Sequence, residues 1–185
     1  IQILDNNNEN PSAFNDVTIE YAIEAFSLST IETTLISNSI IQNNQSGVSC
    51  NPNAAPLIQD NIFQQNEKPI WINSPNIDNN INGNTYVNNL DSEGNSSNFI
   101  YVTGDGDNWT GRLSENKSYD WLADGAPYRM TGNFQVWEDG NEEEIALLKI
   151  YPGATLVFEQ NKYISIGHSN NVVGHAGALQ ADGVT

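Results

Sequence analysis

The chain has 185 residues, with 6 Lys and Arg against 23 Asp and Glu and a formal net charge of -17. That length supports one substantial core, or one solenoid of about seven to nine turns, and leaves little room for two domains. The charge argues against nucleic acid or an anionic membrane as a partner and favours a divalent cation, a cationic surface or simply a well-solvated exterior. The single cysteine excludes an intrachain disulfide, and no apolar run is long enough to span a bilayer or serve as a signal peptide. A start at Ile1 reads as a processed product or a segment of something longer.

In chain order, Ile1 to Leu4 reads as a short strand, and Asp5 to Asn15 as a polar loop containing Pro11. Val17, Ile19 and Tyr21 then alternate with Thr18 and Glu20, as in a strand with one apolar face. From Phe26 to Asn84 a pattern of about 22 residues is written almost three times. Phe26, Val48 and Ile70 share one register, Leu28, Cys50 and Ile72 a second, and Leu35 and Leu57 a third. A shift in the third copy aligns Ile36, Ile58 and Ile77, then Ile40, Ile62 and Ile81. Polar positions follow: Asn38, Asp60 and Asn79 coincide, as do Ser39, Asn61 and Asn80.

The two-residue spacing within each pair belongs to strands, and the period is short for helix-pair repeats. Tyr21 to Ser29 has a composition compatible with a helix, but its register with the later copies favours a strand. Each copy therefore reads as one turn of a parallel solenoid, with apolar columns inside and Asn at the corners. Asn tolerates the left-handed backbone and can hydrogen-bond from turn to turn. Cys50 falls at an interior position and is read as a buried apolar residue.

Asn88 to Asn98 is loop-like, Phe99 to Thr103 is a strand, and Gly104 to Trp109 is a turn. Leu113 to Trp137 is aromatic-rich and reads as less regular turns, with strands at Tyr128 to Met130 and Phe134 to Val136. Asp139 to Glu144 is an acidic loop. Beyond it Leu148 and Ile150, Leu156 and Phe158, Ile164 and Ile166, and Leu179 and Ala181 form inward-facing pairs, with Pro152-Gly153 supplying a tight turn. The chain is thus one all-β unit with regular Asn-rich turns in 1–87, irregular aromatic-rich turns in 88–146 and regular terminal turns in 147–185.

The runs WLADGAPYRMTGNFQVW (Trp121 to Trp137), LLKIYPGATLVFEQNKYISIG (Leu147 to Gly167) and GALQADGVT (Gly177 to Thr185) resemble right-handed parallel β-helix repeats of large secreted bacterial surface proteins. There a "pYxV" segment leads into an "LxIxPGxxLxF … IxVG … GxLxAxG" run. FNDVTIEYA (Phe14 to Ala22) and the two turns at Leu35 to Asn43 and Leu57 to Gln65 resemble that family's preceding rungs. The resemblance covers most of the chain and implies a right-handed parallel β-helix at the cell surface or outside the cell. It says little about activity, because the fold serves lyases, hydrolases, adhesins and scaffolds alike. In such proteins the "GxLxAxG" strand precedes one like Ile1 to Leu4. Joining Gly183-Val184-Thr185 to Ile1-Gln2-Ile3-Leu4 would write one continuous strand, which implies units arrayed head to tail with Ile1, Ile3, Leu179 and Val184 at the junction.

Candidate chemistry is sparse. Asp105 and Asp107 in GDGDNW echo the alternating oxygen ligands of calcium loops without the twelfth-position Glu, and Asp139 with Glu142, Glu143 and Glu144 forms a second candidate calcium site. An ordinary Gly-Asp turn and a solvated acidic loop are the competing readings. His168 and His175 lack a nearby carboxylate or thiol to complete a zinc set and read as loop residues. Asp60 and Asp78 occupy different registers and do not form a hydrolase pair. Asn44, Asn95, Asn108 and Asn116 begin Asn-x-Ser/Thr sequons. The leading expectation is a structural segment of an extracellular fibre, sheath, matrix protein or adhesin stalk, not an enzyme. The alternative is a carbohydrate-binding module stacking sugars on Trp71, Trp109 or Tyr101, with a polysaccharide lyase or hydrolase third.

Overall fold

The computed structural model describes residues 1–4, 12–29, 33–51, 54, 56–73, 80–103, 112–113, 118–136, 145–167 and 176–182. Among them there is no helix; regular structure consists of twenty-one short strands. The first twelve are β1 (Gln2–Leu4), β2 (Ala13–Asn15), β3 (Thr18–Glu20), β4 (Glu24–Ser29), β5 (Leu35–Ser37), β6 (Ile40–Gln42), β7 (Ser46–Cys50), β8 (Leu57–Gln59), β9 (Ile62–Gln64), β10 (Lys68–Ile72), β11 (Ile81–Asn82) and β12 (Thr85–Val87). They are followed by β13 (Ile100–Val102), β14 (Arg112–Leu113), β15 (Ser118–Trp121), β16 (Tyr128–Met130), β17 (Phe134–Val136), β18 (Ile145–Ile150), β19 (Leu156–Phe158), β20 (Ile164–Ile166) and β21 (Ala176–Ala181).

Every sheet neighbour is three strands away along the chain. The longest sheet runs β1-β4-β7-β10-β13-β16-β19, and every strand pairing is parallel. Two four-stranded sheets, β2-β5-β8-β11 and β3-β6-β9-β12, cover the first part, and two three-stranded sheets, β14-β17-β20 and β15-β18-β21, cover the second. Side chains from all of these sheets meet in one buried cluster. This arrangement is consistent with a parallel β-solenoid.

Register follows the apolar columns. Phe26 lies beside Val48 and Val48 beside Ile70, which continues to Ile100, Tyr128 and Leu156. Leu28, Cys50, Ile72, Val102 and Met130 form the adjoining buried column. Glu24 to Ser29 is a strand despite its helix-compatible composition, because pairing with both neighbours outweighs local propensity.

Three sequence-based placements need correction. Ile40 and Ile62 are in register with each other but face outward, while Ile41 and Phe63 are fully buried. Ile81 pairs with Ile58, so it extends the Ile36 and Ile58 column instead of following Ile62. Asn61 is followed in its ladder by Asn84 and not by Asn80. The corner explains the first of these, and the other two follow from one extra residue before the last copy, since Ile36 and Ile58 are 22 apart but Ile58 and Ile81 are 23. Asp16, Asn38, Asp60 and Gly83 all have positive φ, between 49° and 70°. This left-handed step places inward residues three apart, as in Ile36 and Ser39, before the two-residue alternation resumes at Ile41. Leu35 and Leu57 stack in register but are only half-buried. Ile77 and Asn79 lie outside the described residues.

Gly47 shows how closely these layers approach. A Cβ there would collide with the Pro69 carbonyl and press on Phe63 and Ile41 at 3.1 and 3.2 Å. Gly47→Ala is therefore expected to destabilise the fold by about 1–3 kcal/mol, measured by urea unfolding. An unchanged midpoint would show that the two layers are not so close.

Candidate functional site

The most ordered polar constellation is a pair of buried asparagine ladders at the corners. A ten-residue motif starting at Ala13, Leu35, Leu57 and Asn80 places inward side chains at its second, fifth, seventh and tenth positions. These are Phe14, Val17, Ile19 and Ala22 in the first copy and Ile58, Asn61, Phe63 and Asn66 in the third. In one ladder the Ser39 backbone N–H donates to Asn61 Oδ1 at 3.0 Å, and Asn61 donates through both N–H and Nδ2 to Asn84 Oδ1 at 3.0 Å. In the other, Ala22 N–H donates to Asn44 Oδ1, Asn44 N–H to Asn66 Oδ1, and Asn66 N–H to Asn89 Oδ1, at 2.9 to 3.1 Å. Each amide also donates to a carbonyl of an adjacent strand, as Asn66 Nδ2 does to Ile41 O at 2.8 Å. Both amide functions are thus satisfied in an environment where an unpaired one would cost about 1–3 kcal/mol.

Both ladders end where the two four-stranded sheets stop. Asn89 donates to Asn98 Oδ1, only nine residues on. Asn84 donates to Asp124 from its N–H and from Nδ2, each at 2.9 Å, and the Tyr86 hydroxyl donates to Asp124 Oδ2 at 2.7 Å. Burial pushes the Asp124 carboxyl above its ordinary value, opposed by these donors, and burial with the nearby carboxylate pushes the Tyr86 phenol up as well. Asp124 thus occupies the next ladder position and ties the first group of sheets to the segment after β15.

On the outer face of the long sheet, Lys68 lies over the Trp71 ring at 5.0 Å, and Trp71 Nε1 donates to Thr103 Oγ1 at 2.7 Å. The Arg129 guanidinium covers Phe99 and Tyr101 at 5.1 and 5.7 Å and donates to Glu159 at 3.1 Å. Tyr101 is buried beneath this network, so its ring is already occupied, while Trp71 remains half-buried. Nearer the start of the sheet, Tyr21 and Ile23 stand 78% and 76% exposed beside a shallow groove of about 490 Å³.

At the two ends of the stack, Ile1 and Leu4 are exposed and Ile3 half-buried, while Phe158, Tyr163, Ile166 and Leu179 are exposed on or beside the last three strands. Phe158, Ile166, Leu179 and Ala181, expected to face inward, lie open because no further described strand covers them.

Asp105, Asp107, Asp139, Glu142 and Val184 lie outside the described residues, as do Asp78, Trp109, His168 and His175. Among the described residues no group of three or more His, Cys, Asp or Glu side chains could hold a metal ion. Burial pushes the Cys50 thiol up to about 12, leaving it protonated at neutral pH. Of the described sequon residues, Asn44 is buried in a ladder, while Asn95 is exposed in a turn with Asp91. The ladder residues Asn44, Asn66 and Asn89 are not among the polar positions that the sequence repeat aligns above. Their signal is Asn at intervals of 22 and 23, visible once the extra residue before the last copy is allowed.

Because folding raises the Asp124 pKa, the carboxyl's contribution to stability is complete below the unfolded value and is lost as pH rises through the folded one. Asp124→Asn would match the ladder residues of the preceding copies. It is expected to exceed the parent in Tm at neutral pH, with the gap shrinking as pH falls toward 3.8. A gap that grows on acidification would contradict the placement. Comparison with protein-family models, with curated proteins and with solved structures found no match to this chain.

Proposed function

We propose that the chain is a right-handed parallel β-helix of seven turns, three strands to the turn. Its role is structural, as a segment of an extracellular fibre, sheath, matrix protein or adhesin stalk that stacks end to end on further copies. The observation that carries this reading is the long sheet: it takes every third strand from β1 to β19, and among the described residues both outer edges are unpaired. Unpaired edges carrying exposed apolar side chains are templates for further strands unless charge or a covering segment blunts them. Ile1 and Leu4 at one end, and Phe158, Ile166 and Leu179 at the other, leave such edges apolar. Stacked backbone hydrogen bonds, apolar columns and asparagine ladders would then continue across each junction and supply stiffness.

The net charge of -17 opposes stacking of identical units, so added salt should promote it by screening. Sedimentation velocity and electron microscopy at rising concentration and salt are expected to show growing linear particles. Ile166→Asp with Leu179→Asp should return monomers at some cost in Tm, because each residue lies in register over a buried one, Val136 and Leu148, and circular dichroism checks that the variant stays folded. Monomers under every condition, with the parent and the double variant indistinguishable, would sink the proposal.

A further inference from the structure

The corner between the third strand of one copy and the first strand of the next repeats three times as a three-residue step: Tyr21-Ala22-Ile23, Asn43-Asn44-Gln45 and Gln65-Asn66-Glu67. The middle residue faces inward along the second ladder, and the flanking residues line the side of the stack. The first residue of each step has positive φ, 60° at Tyr21, 56° at Asn43 and 54° at Gln65. Asn suits that conformation, whereas a bulky aromatic does so only at a cost in strain. The first copy therefore holds a tyrosine where the local backbone favours Asn, and an isoleucine where the later copies hold Gln and Glu. Folding does not require either choice, since both side chains point into solvent.

The two rows line a shallow, open groove of about 490 Å³, and an adjoining shallow one of about 270 Å³ continues past Glu24, Ser46 and Lys68 to Trp71. Along this path lie one freely exposed aromatic ring, side-chain amides of Asn43, Gln45 and Gln65, the carboxylates of Glu24 and Glu67, and a single cation, Lys68, whose ammonium is held over the Trp71 ring at 5.0 Å, so the lining keeps a net negative charge. Neither carboxylate has an ion-pair partner among the described residues. Flat rings that accept the C–H face of a sugar, next to amides and carboxylates that hydrogen-bond hydroxyl or ammonium groups, make a carbohydrate-recognition surface. Successive copies repeat at about 4.8 Å, close to the length of one pyranose residue, so the groove suits an extended polymer. The acidic lining and the acidic chain as a whole disfavour uronates.

We infer that this corner groove binds a polysaccharide carrying free amino groups, with Tyr21 as the stacking platform and Glu24 and Glu67 receiving its ammonium groups. The inference is independent of end-to-end stacking, because the groove lies on the flank and would be present in a monomer.

The test uses the full chain and three soluble oligosaccharides: a glucosamine oligomer, its fully N-acetylated counterpart and a uronate oligomer, titrated calorimetrically at low salt. The glucosamine oligomer is expected to bind at least tenfold more tightly than the N-acetylated one, with no heat from the uronate. Tyr21→Asn keeps a residue suited to the corner, so Tm should hold or rise while affinity drops at least tenfold. Glu67→Gln should reduce the preference for free amino groups. No binding of the glucosamine oligomer, equal binding of the uronate, or unchanged affinity in Tyr21→Asn would overturn the inference. So would a Tyr21→Asn effect confined to self-association, which would assign the exposed pair to contact between copies.

Discussion

A chain that turns a corner every few residues turns its backbone N–H and C=O groups out of the strand ladders, and burial makes each orphan costly. The asparagine ladders resolve this at two corners of the stack. One side-chain oxygen receives the N–H and the amide of the copy before it, and the same residue's amide donates to a neighbouring carbonyl. Because Asn44 and Asn66 each depend on the copy before and the copy after, the ladder enforces the register of the strands on either side. Apolar columns alone would tolerate slippage between similar residues. Directional hydrogen bonds at a fixed corner do not.

The same constraint explains where the architecture changes. After β12 the chain makes a longer excursion, containing an isolated antiparallel bridge between Leu90 and Ser96, and the two shorter sheets end. The long sheet alone passes through, from Ile70 to Ile100. At this junction the ladders are completed by residues from different places, Asn98 close by and Asp124 far along the chain. The carboxylate at Asp124 accepts three hydrogen bonds in a buried setting, which makes it the one ionisable group in the ladder system. Trp121 stacked on Tyr128, 5.0 Å between ring centroids, then re-establishes a dense core on the far side.

Much of the strand framework was legible in the residues themselves. Alternation within a strand is a local signal, so Phe26 and Leu28, Val48 and Cys50, and Ile70 and Ile72 could be placed on one face and aligned by period. The strands at Tyr128–Met130 and Phe134–Val136 were readable for the same reason. The corners were legible as places for Asn in the left-handed conformation, as at Asn38, but their effect on phase was not: a single left-handed residue shifts the alternation, and that shift turns Ile40 and Ile62 outward. The third copy was misaligned because Asn80, Asn82, Asn84, Asn88 and Asn89 are chemically interchangeable in a one-dimensional comparison. Asp124 had no local signal, since its partners lie 38 and 40 residues away. The flank groove is hidden by the same repeat that reveals the fold: alternation alone extends a strand through Tyr21, and its departure from the corner pattern emerges only once the corner is placed.

Parallel, in-register stacking of successive copies can be seen directly by methyl and aromatic NOE spectroscopy on the selectively labelled chain. Strong contacts are expected from the Val48 methyls to both the Phe26 ring and the Ile70 methyls, with equivalent contacts from the Ile100 methyls to the Ile70 methyls and the Tyr128 ring. Val48 methyls that meet neither residue, or cross-strand backbone contacts of antiparallel type between β4, β7 and β10, would contradict it.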